Sequence, residues 1–141
     1  MWIFDVDNAK LLYNTYVAHG KNSGVVTPHH FSNKNASKES SLGTFVTKNT
    51  YIGSKGYSLN LKGLEAGVND HAYSRRVVIH GAWYVEPSFI QKSGRAGLSW
   101  GCPAVGASVA KKVINAIKNG TVLFAYFPDK NYLSHSDYVV A

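Results

Sequence analysis

Only one segment of this 141-residue chain has the apolar spacing of an amphipathic helix, and this restricts the fold class. Its apolar residues recur at i, i+4, i+5 and i+8 and therefore share one helical face: Val109, Val113, Ile114 and Ile117. Asn119-Gly120 supplies a C-terminal stop signal. Because the other apolar segments alternate or are rich in β-branched residues, the sequence predicts a mainly β fold with one main α-helix.

Several short segments have the pattern of β-strands. Residues 2–6 alternate, a turn follows at 7–10, and residues 11–17 alternate again, which predicts a β-hairpin. Further strands are expected at 44–47, 57–61, 76–80 and 121–127. The polar stretch 18–43 has no helical period, so we expect a loop that is either functional or mobile.

Composition excludes several classes of protein. With 45% hydrophobic and 16% charged residues, the chain is not a disordered polyelectrolyte, and we expect one domain spanning residues 1–141. No stretch approaches 18 apolar residues, so we expect no transmembrane segment. Residues 1–5 lack the pattern of a secretory leader, which fits either a cytoplasmic protein or one whose leader has been removed.

The net charge of +7 fits either a well-solvated surface or an acidic partner. The lysines are scattered, and no basic helix or nucleic-acid motif is present, so we expect no nucleic-acid binding. A carboxylate-rich polymer fits the charge equally well.

Cys102 is the only cysteine, so no internal disulfide can form, and the thiol is either a buried core group or a reactive one. It lies between Gly101 and Pro103, directly before the predicted helix. A helix N-terminus would lower the pKa of the thiol through the helix dipole. The N–H groups of Gly101 and Cys102 are candidates for an oxyanion hole.

His80 is the best candidate for the base that a nucleophilic cysteine needs, because it ends a strong apolar strand and precedes Gly81. Twenty-two residues separate it from Cys102 (102 − 80), so only the fold can bring the two together. On these residues alone, a structural cysteine with a satisfied histidine is favoured over a catalytic pair, because the chain has six histidines.

Two motifs in order resemble the catalytic signature of the YkuD-type L,D-transpeptidases: residues 77–82, which contain His80-Gly81, and residues 99–103, which read Ser-Trp-Gly-Cys-Pro. The second motif is similar to the murein L,D-transpeptidase branch, in which proline follows the cysteine. The segments 16–24, 41–45 and 61–65 also resemble this branch.

Two positions depart from the commoner family motif, Ser-His-Gly-Cys-x-Arg. Trp100 replaces its histidine, and Ala104 stands where the arginine would be. Arg75, Arg76 and Arg95 are candidates for replacing that arginine.

The resemblance implies a β-sandwich or barrel-like fold with the main helix after the catalytic cysteine. It also implies acyl transfer on peptidoglycan stem peptides, with Cys102 as nucleophile and His80 as base. Gly81, Ser99 and Gly101 would support the histidine and shape the cysteine loop. Trp100, Tyr84 and Arg95 are the expected substrate-binding residues, although core packing is an alternative for the two aromatic side chains.

The family implies no cofactor, a location in the bacterial cell envelope and, we expect, a monomer. His29-His30 has no second pair at ligand spacing, so no metal site is expected. Three alternatives stay open: a hydrolytic carboxypeptidase or endopeptidase acting on the same stems, an inactive wall-binding module, and a basic cytoplasmic binding protein with an inert cysteine.

Overall fold

The computed structural model describes residues 1–139, and within them β-strands outnumber helices. The strands are Trp2–Asp5 (β1), Lys10–Asn14 (β2), Val17–Ala18 (β3), Gly43–Gly53 (β4), Gly56–Gly63 (β5), Val78–Ala82 (β6), Ala104–Gly106 (β7) and Val122–Ala125 (β8). The helices are Pro87–Ser93 (α1), Ala107–Ile117 (α2) and Lys130–His135 (α3), with a 3-10 turn at Trp83–Val85. The predicted mainly β fold class is confirmed.

A six-stranded sheet with the order β3-β7-β6-β5-β4-β8 forms the centre of the fold. All its neighbours are antiparallel except β6 and β7, which run parallel with His80 opposite Ala104. A parallel pair needs a crossover connection. Here the crossover contains the 3-10 turn, α1 and the segment that carries Cys102, so the chain returns to the sheet directly after the cysteine.

The main helix packs its predicted apolar face against one side of this sheet. Val113, Ile114 and Ile117 are buried in one cluster with sheet residues that include Leu59 and Ile79. At about 25 cal/mol per Å² of buried apolar surface, such a face accounts for most of the stability of a helix of this length.

The start of the helix corrects one expectation. It begins at Ala107, and the strand β7 separates it from Pro103. Cys102 therefore does not lie at a helix N-terminus. The sequence did not mark the start of the helix, because the apolar spacing that predicts it begins only at Val109. The short helices α1 and α3 were not predicted at all.

The predicted hairpin is present as β1 and β2, which form a separate two-stranded sheet. Its inward face is carried by Ile3, which joins the core, whereas Trp2, Phe4 and Val6 are exposed. The apolar alternation thus located the strand correctly, although its larger apolar side chains face outwards.

The stretch 18–43 has little regular structure beyond β3, but it is well hydrogen bonded. Ser23 is fully buried, its hydroxyl accepts the Ser40 N–H at 2.9 Å, and the Asn22 N–H donates to the Lys38 carbonyl at 3.1 Å. Gly20 forms a parallel bridge with Ser99. This loop is therefore attached to the segment that contains Cys102.

Glu65 connects α3 to the sheet. Its buried carboxylate accepts hydrogen bonds from the Thr44 N–H at 2.6 Å, the Tyr132 hydroxyl at 3.0 Å and the Ser136 hydroxyl at 2.6 Å. The buried Asn69 side chain accepts the Glu65 N–H at 2.9 Å and completes this network. Among residues 1–139, no helix is long and apolar enough to cross a membrane.

Candidate active site

Cys102 lies half-buried against the start of β6. Its Sγ accepts the Val78 N–H at 3.5 Å and lies 3.7 Å from the Arg76 carbonyl oxygen, to which the thiol donates. Burial raises the pKa of the Cys102 thiol above its ordinary value, while the Val78 N–H and the charges of Arg75 and Lys55 act in the opposite direction. The expected lowering of this pKa by a helix dipole is wrong, because the helix begins five residues later (107 − 102).

His80 lies two residues beyond Val78 on the same strand and is almost fully buried. Its Nδ1 lies 2.9 Å from the Gly81 carbonyl oxygen, which can only accept, so Nδ1 carries the proton and Nε2 is the unprotonated nitrogen. Burial lowers the pKa of His80, and the nearby Lys55 charge lowers it further, against the opposing effect of the Gly81 carbonyl.

The parallel pairing of β6 and β7 places Cys102 beside the strand that carries His80. His80 is opposite Ala104, and the Cys102 sulfur contacts Val78, two residues earlier on β6. Two residues along a strand span about 6.6 Å, so the thiol contacts β6 about that far from the residue that carries the imidazole. With the thiol pKa raised and the imidazole pKa lowered, both groups are neutral at pH 7.

Gly81 makes room for the main helix behind the histidine. A Cβ at this position would lie 2.9 Å from the Ala110 Cβ and 3.1 Å from the Ala107 Cα. Such contacts are tighter than carbon atoms tolerate, so any side chain would force α2 away from the sheet. Glycine here lets β6 approach α2 while its carbonyl fixes the imidazole.

Ser99 organises the cysteine loop through its buried hydroxyl. The hydroxyl donates to the Cys102 carbonyl at 2.6 Å and accepts the Gly101 N–H at 3.1 Å. The Gly101 N–H is therefore not available for the expected oxyanion hole, because it already donates to the Ser99 hydroxyl. Within residues 1–139, the Cys102 N–H has no hydrogen-bond acceptor and is the donor that remains for an oxyanion.

Gly101 is required by its backbone conformation and by its neighbour. Its φ is 120°, a conformation that side chains disfavour, and a Cβ would lie 2.8 Å from the Glu39 carbonyl oxygen. The cysteine loop therefore passes close to the 37–41 part of the long loop.

Trp100 is 74% exposed, so the alternative that it packs in the core is wrong. The Lys38 ammonium lies 4.8 Å from its ring centroid, within the range of a cation–π contact. An exposed indole two residues before the nucleophile is available to a ligand, and its partner Lys38 was not singled out by the sequence.

Tyr84 and Arg95 lie in different surroundings. Tyr84 is half-buried beside Gly97, and its pKa is raised by burial and by the charge of the Cys102 thiolate, so it lies near the nucleophile. Arg95 is exposed and directs one nitrogen to the Val25 carbonyl at 3.4 Å and the Ala96 carbonyl at 3.2 Å. It is not among the cations that act on the Cys102 thiol.

Lys55 is a site residue that the sequence reasoning missed. It lies in the turn between β4 and β5, where Gly53 pairs with Gly56, and Ser58 of β5 is opposite His80. The turn therefore extends just beyond the histidine, and the Lys55 charge acts on both His80 and Cys102. The sequence contains a Gly-Ser-Lys-Gly turn signal at residues 53–56, but the register with β6 was needed to place the lysine.

A cavity of about 520 Å³ lies apart from Cys102, which is not among its lining residues. Its lining includes His29, His30 and His135. It also includes Glu39, whose carbonyl oxygen lies close to Gly101. In the part of the chain that the structure describes, no three His, Cys, Asp or Glu side chains converge to hold a metal ion.

The thiol, the histidine and the parallel strand pair together form a candidate cysteine–histidine site on a mainly β fold. A comparison with protein families matches residues 1–126 to YkuD_2, the L,D-transpeptidase catalytic domain. The chain therefore belongs to this family of L,D-transpeptidase catalytic domains. A comparison with curated proteins finds no match. Helix α3 lies outside the matched range.

Proposed function

We propose that this protein is a cysteine L,D-transpeptidase that transfers acyl groups between peptidoglycan stem peptides. The observation that carries the proposal is the placement of the Cys102 thiol beside the strand that bears His80, whose Nδ1–H is held by Gly81. That tautomer leaves Nε2 free to accept a proton, which is what a neutral thiol needs before it can attack a carbonyl.

The first half-reaction forms a thioester. The Cys102 sulfur attacks the carbonyl of the third residue of a tetrapeptide stem, and its proton passes to His80 Nε2. The Cys102 N–H stabilises the oxyanion of the tetrahedral intermediate. The intermediate collapses as the carbon–nitrogen bond breaks, and the departing D-alanine amine takes the proton from Nε2.

The second half-reaction releases the enzyme. An amine of a second stem attacks the thioester carbonyl, gives one proton to His80 Nε2 and forms a 3–3 cross-link. The sulfur leaves and recovers that proton from the imidazole. No metal or cofactor takes part in either step. Water in place of the amine would make the enzyme a hydrolase on the same stems.

The surroundings of the thiol suit a substrate that carries carboxylates. Lys55 acts on both reacting groups, and Lys38 lies over the exposed Trp100. Tyr84 and Arg95 complete the set of substrate-binding residues that we propose, with Arg95 at the edge. The net charge of +7 favours the same anionic polymer over nucleic acid, since two cations, Arg75 and Lys55, act on the thiol.

We further propose that residues 1–141 form a single domain, that the protein acts as a monomer and that it works in the cell envelope, where its substrate lies. The single cysteine suits this location, because an exported enzyme that depends on a free thiol gains from having no second cysteine with which to form a disulfide.

Incubation with disaccharide tetrapeptide, followed by mass spectrometry, tests the proposal. We expect a cross-linked dimer and released D-alanine from the wild type and neither from Cys102→Ala. A carbapenem should add to the wild type in an intact-mass measurement and not to the variant. Release of D-alanine without a dimer would show that the enzyme is a hydrolase and not a transpeptidase. Folded protein that forms neither adduct nor product would leave only a wall-binding role.

A further inference from the structure

Arg75 holds one segment of the long loop through all of its terminal nitrogens. One guanidinium nitrogen donates to the Ser32 carbonyl and the Ser41 hydroxyl, both at 2.7 Å. The other donates to the Ser37 hydroxyl and the Glu39 carbonyl, both at 3.1 Å. Because the planar fork fixes four acceptors at once, Arg75 sets the shape of residues 32–41.

The segment that Arg75 holds is the wall of the cysteine loop. The Glu39 carbonyl oxygen lies where it excludes a side chain at Gly101. The adjacent Ser40 hydroxyl accepts the Gly20 N–H at 3.0 Å and is 3.5 Å from the Gly101 carbonyl oxygen, to which it donates. A shift of residues 37–41 would therefore move Gly101, the residue that precedes the nucleophile.

The same arginine also acts on the thiol by its charge. The guanidinium lowers the pKa of Cys102, and in return the thiolate, together with Glu39, raises the pKa of Arg75 against the larger effect of burial. The next residue, Arg76, has a positive φ of 56°, and its carbonyl accepts from the thiol. A strained residue in contact with a nucleophile is typical of a functional site.

We propose that Arg75 is the positioning residue of this active site, and that it replaces the arginine that the commoner family motif carries two residues after the cysteine. Ala104, which stands at that position, is completely buried in a cluster with Ala18, Ala82 and Val85, so an arginine side chain has no room there. Arg75 instead reaches the site from the residue pair that precedes β6. This inference depends on the proposed function only for the identity of the reaction, and the positioning role of Arg75 does not depend on it.

Two variants separate the shape that Arg75 imposes from its charge. Arg75→Lys keeps a cation but has no planar fork, and Arg75→Met removes both. Because Cys102 is the only thiol, its rate of alkylation by iodoacetamide reports on one group across a pH series. Hydrogen exchange of the amides of residues 37–41 reports on the wall.

We expect faster exchange at 37–41 in both variants and slower alkylation chiefly in Arg75→Met. Its alkylation rate at pH 7 should fall about three- to tenfold, with the profile displaced to higher pH. Arg75→Lys should largely restore the alkylation profile but not the exchange protection. Other charged and titratable groups near the thiol, namely Lys55, His80, Glu39 and Tyr84, are the same in all three proteins.

Lys111→Ala, which removes an exposed cation from α2, is the matched control and should change neither readout. The proposal would be overturned if Arg75→Met had the same alkylation profile and the same hydrogen exchange at residues 37–41 as the wild type. If Arg75→Met does not fold, the exchange of Arg75→Lys alone decides, and unchanged protection at 37–41 would refute the role. Alkylation does not depend on the substrate, so failure of the transpeptidase assay is a separate outcome.

Discussion

Arg75 and Glu65 have opposite charges but bond in the same way. Each uses several charge-assisted hydrogen bonds to hold segments that are distant in the chain: Arg75 holds residues 32–41, and Glu65 holds Thr44 and α3. They differ in what lies next to them. Arg75 acts on the Cys102 thiol, whereas Glu65 is not among the charges that act on Cys102 or His80.

This difference separates reactivity from stability in one small molecule. Changes on the Arg75 side should alter the rate at which the Cys102 thiol reacts more than they alter the free energy of unfolding. Changes at Glu65 should do the reverse, since its partners belong to the sheet and to α3. The following substitutions test that division.

The largest effect is expected for His80→Gln on the Cys102 side. Glutamine keeps a polar side chain of similar reach but cannot take up a proton, so the rate of carbapenem acylation should fall about 100- to 10,000-fold. The rate is measured by intact mass over time. In the wild type, the lowered pKa of His80 keeps the imidazole neutral below the usual histidine range, and the raised pKa of the thiol makes the rate increase towards alkaline pH.

His135→Gln on α3 is the matched control, because that histidine is exposed and bonds only within its own helix region. It should acylate at the wild-type rate. An acylation rate for His80→Gln within a factor of two of wild type would remove His80 as the base. Titration of the thiol alone lowers the rate by at most about tenfold per pH unit on acidification, so a steeper loss near pH 7 would contradict the lowered pKa of His80.

Glu65→Gln should change stability without changing reactivity. Removing the charge weakens the bonds from Thr44, Tyr132 and Ser136, and we expect a loss of about 2 kcal/mol in the free energy of unfolding, measured by urea titration at pH 7. Burial raises the pKa of Glu65, but these hydrogen bonds outweigh it and hold the pKa below its ordinary value.

The sign of the pH dependence follows from that lowered pKa. The contribution of Glu65 is complete above the pKa of the unfolded chain and is lost as pH falls through the lower pKa of the folded protein. The difference between wild type and Glu65→Gln should therefore shrink in acid. Glu86→Gln is the control, since it also accepts a backbone N–H at 2.6 Å but at an exposed position, and it should cost less. An altered alkylation rate in Glu65→Gln would break the division between the two sides.

Local patterns in the sequence were sufficient for the elements of the site but not for its surroundings. The strand that carries His80 and the apolar face of α2 follow from periodicity, although the strand continues to Ala82 and does not end at the histidine as expected. The two motifs located the cysteine and the histidine. The family and the mainly β fold class are confirmed, whereas the roles of the individual site residues remain predictions.

The features that sequence reasoning missed all depend on tertiary contacts. The position of Lys55 follows from the register between β5 and β6, and the bonds of Arg75 from the path of an irregular loop. The helix start was misplaced because Pro103 is as compatible with the approach to a short strand as with a helix N-terminus. Hydrogen bonds between residues 30 or more positions apart leave no periodic signal in a sequence.

Ser99→Ala should have the smallest effect, and it tests whether an uncharged group on the Cys102 side follows the same division. The variant loses the bonds to the Cys102 carbonyl and the Gly101 N–H, so the loop can shift and the Gly101 N–H loses its acceptor. One hydrogen bond is worth about 1 kcal/mol, which corresponds to a three- to tenfold slower acylation. Ser74→Ala, at an exposed serine, should acylate at the wild-type rate. If Ser99→Ala lowered the free energy of unfolding but left acylation unchanged, the hydroxyl would belong with Glu65 as a stabilising group, and the division would follow charge rather than position.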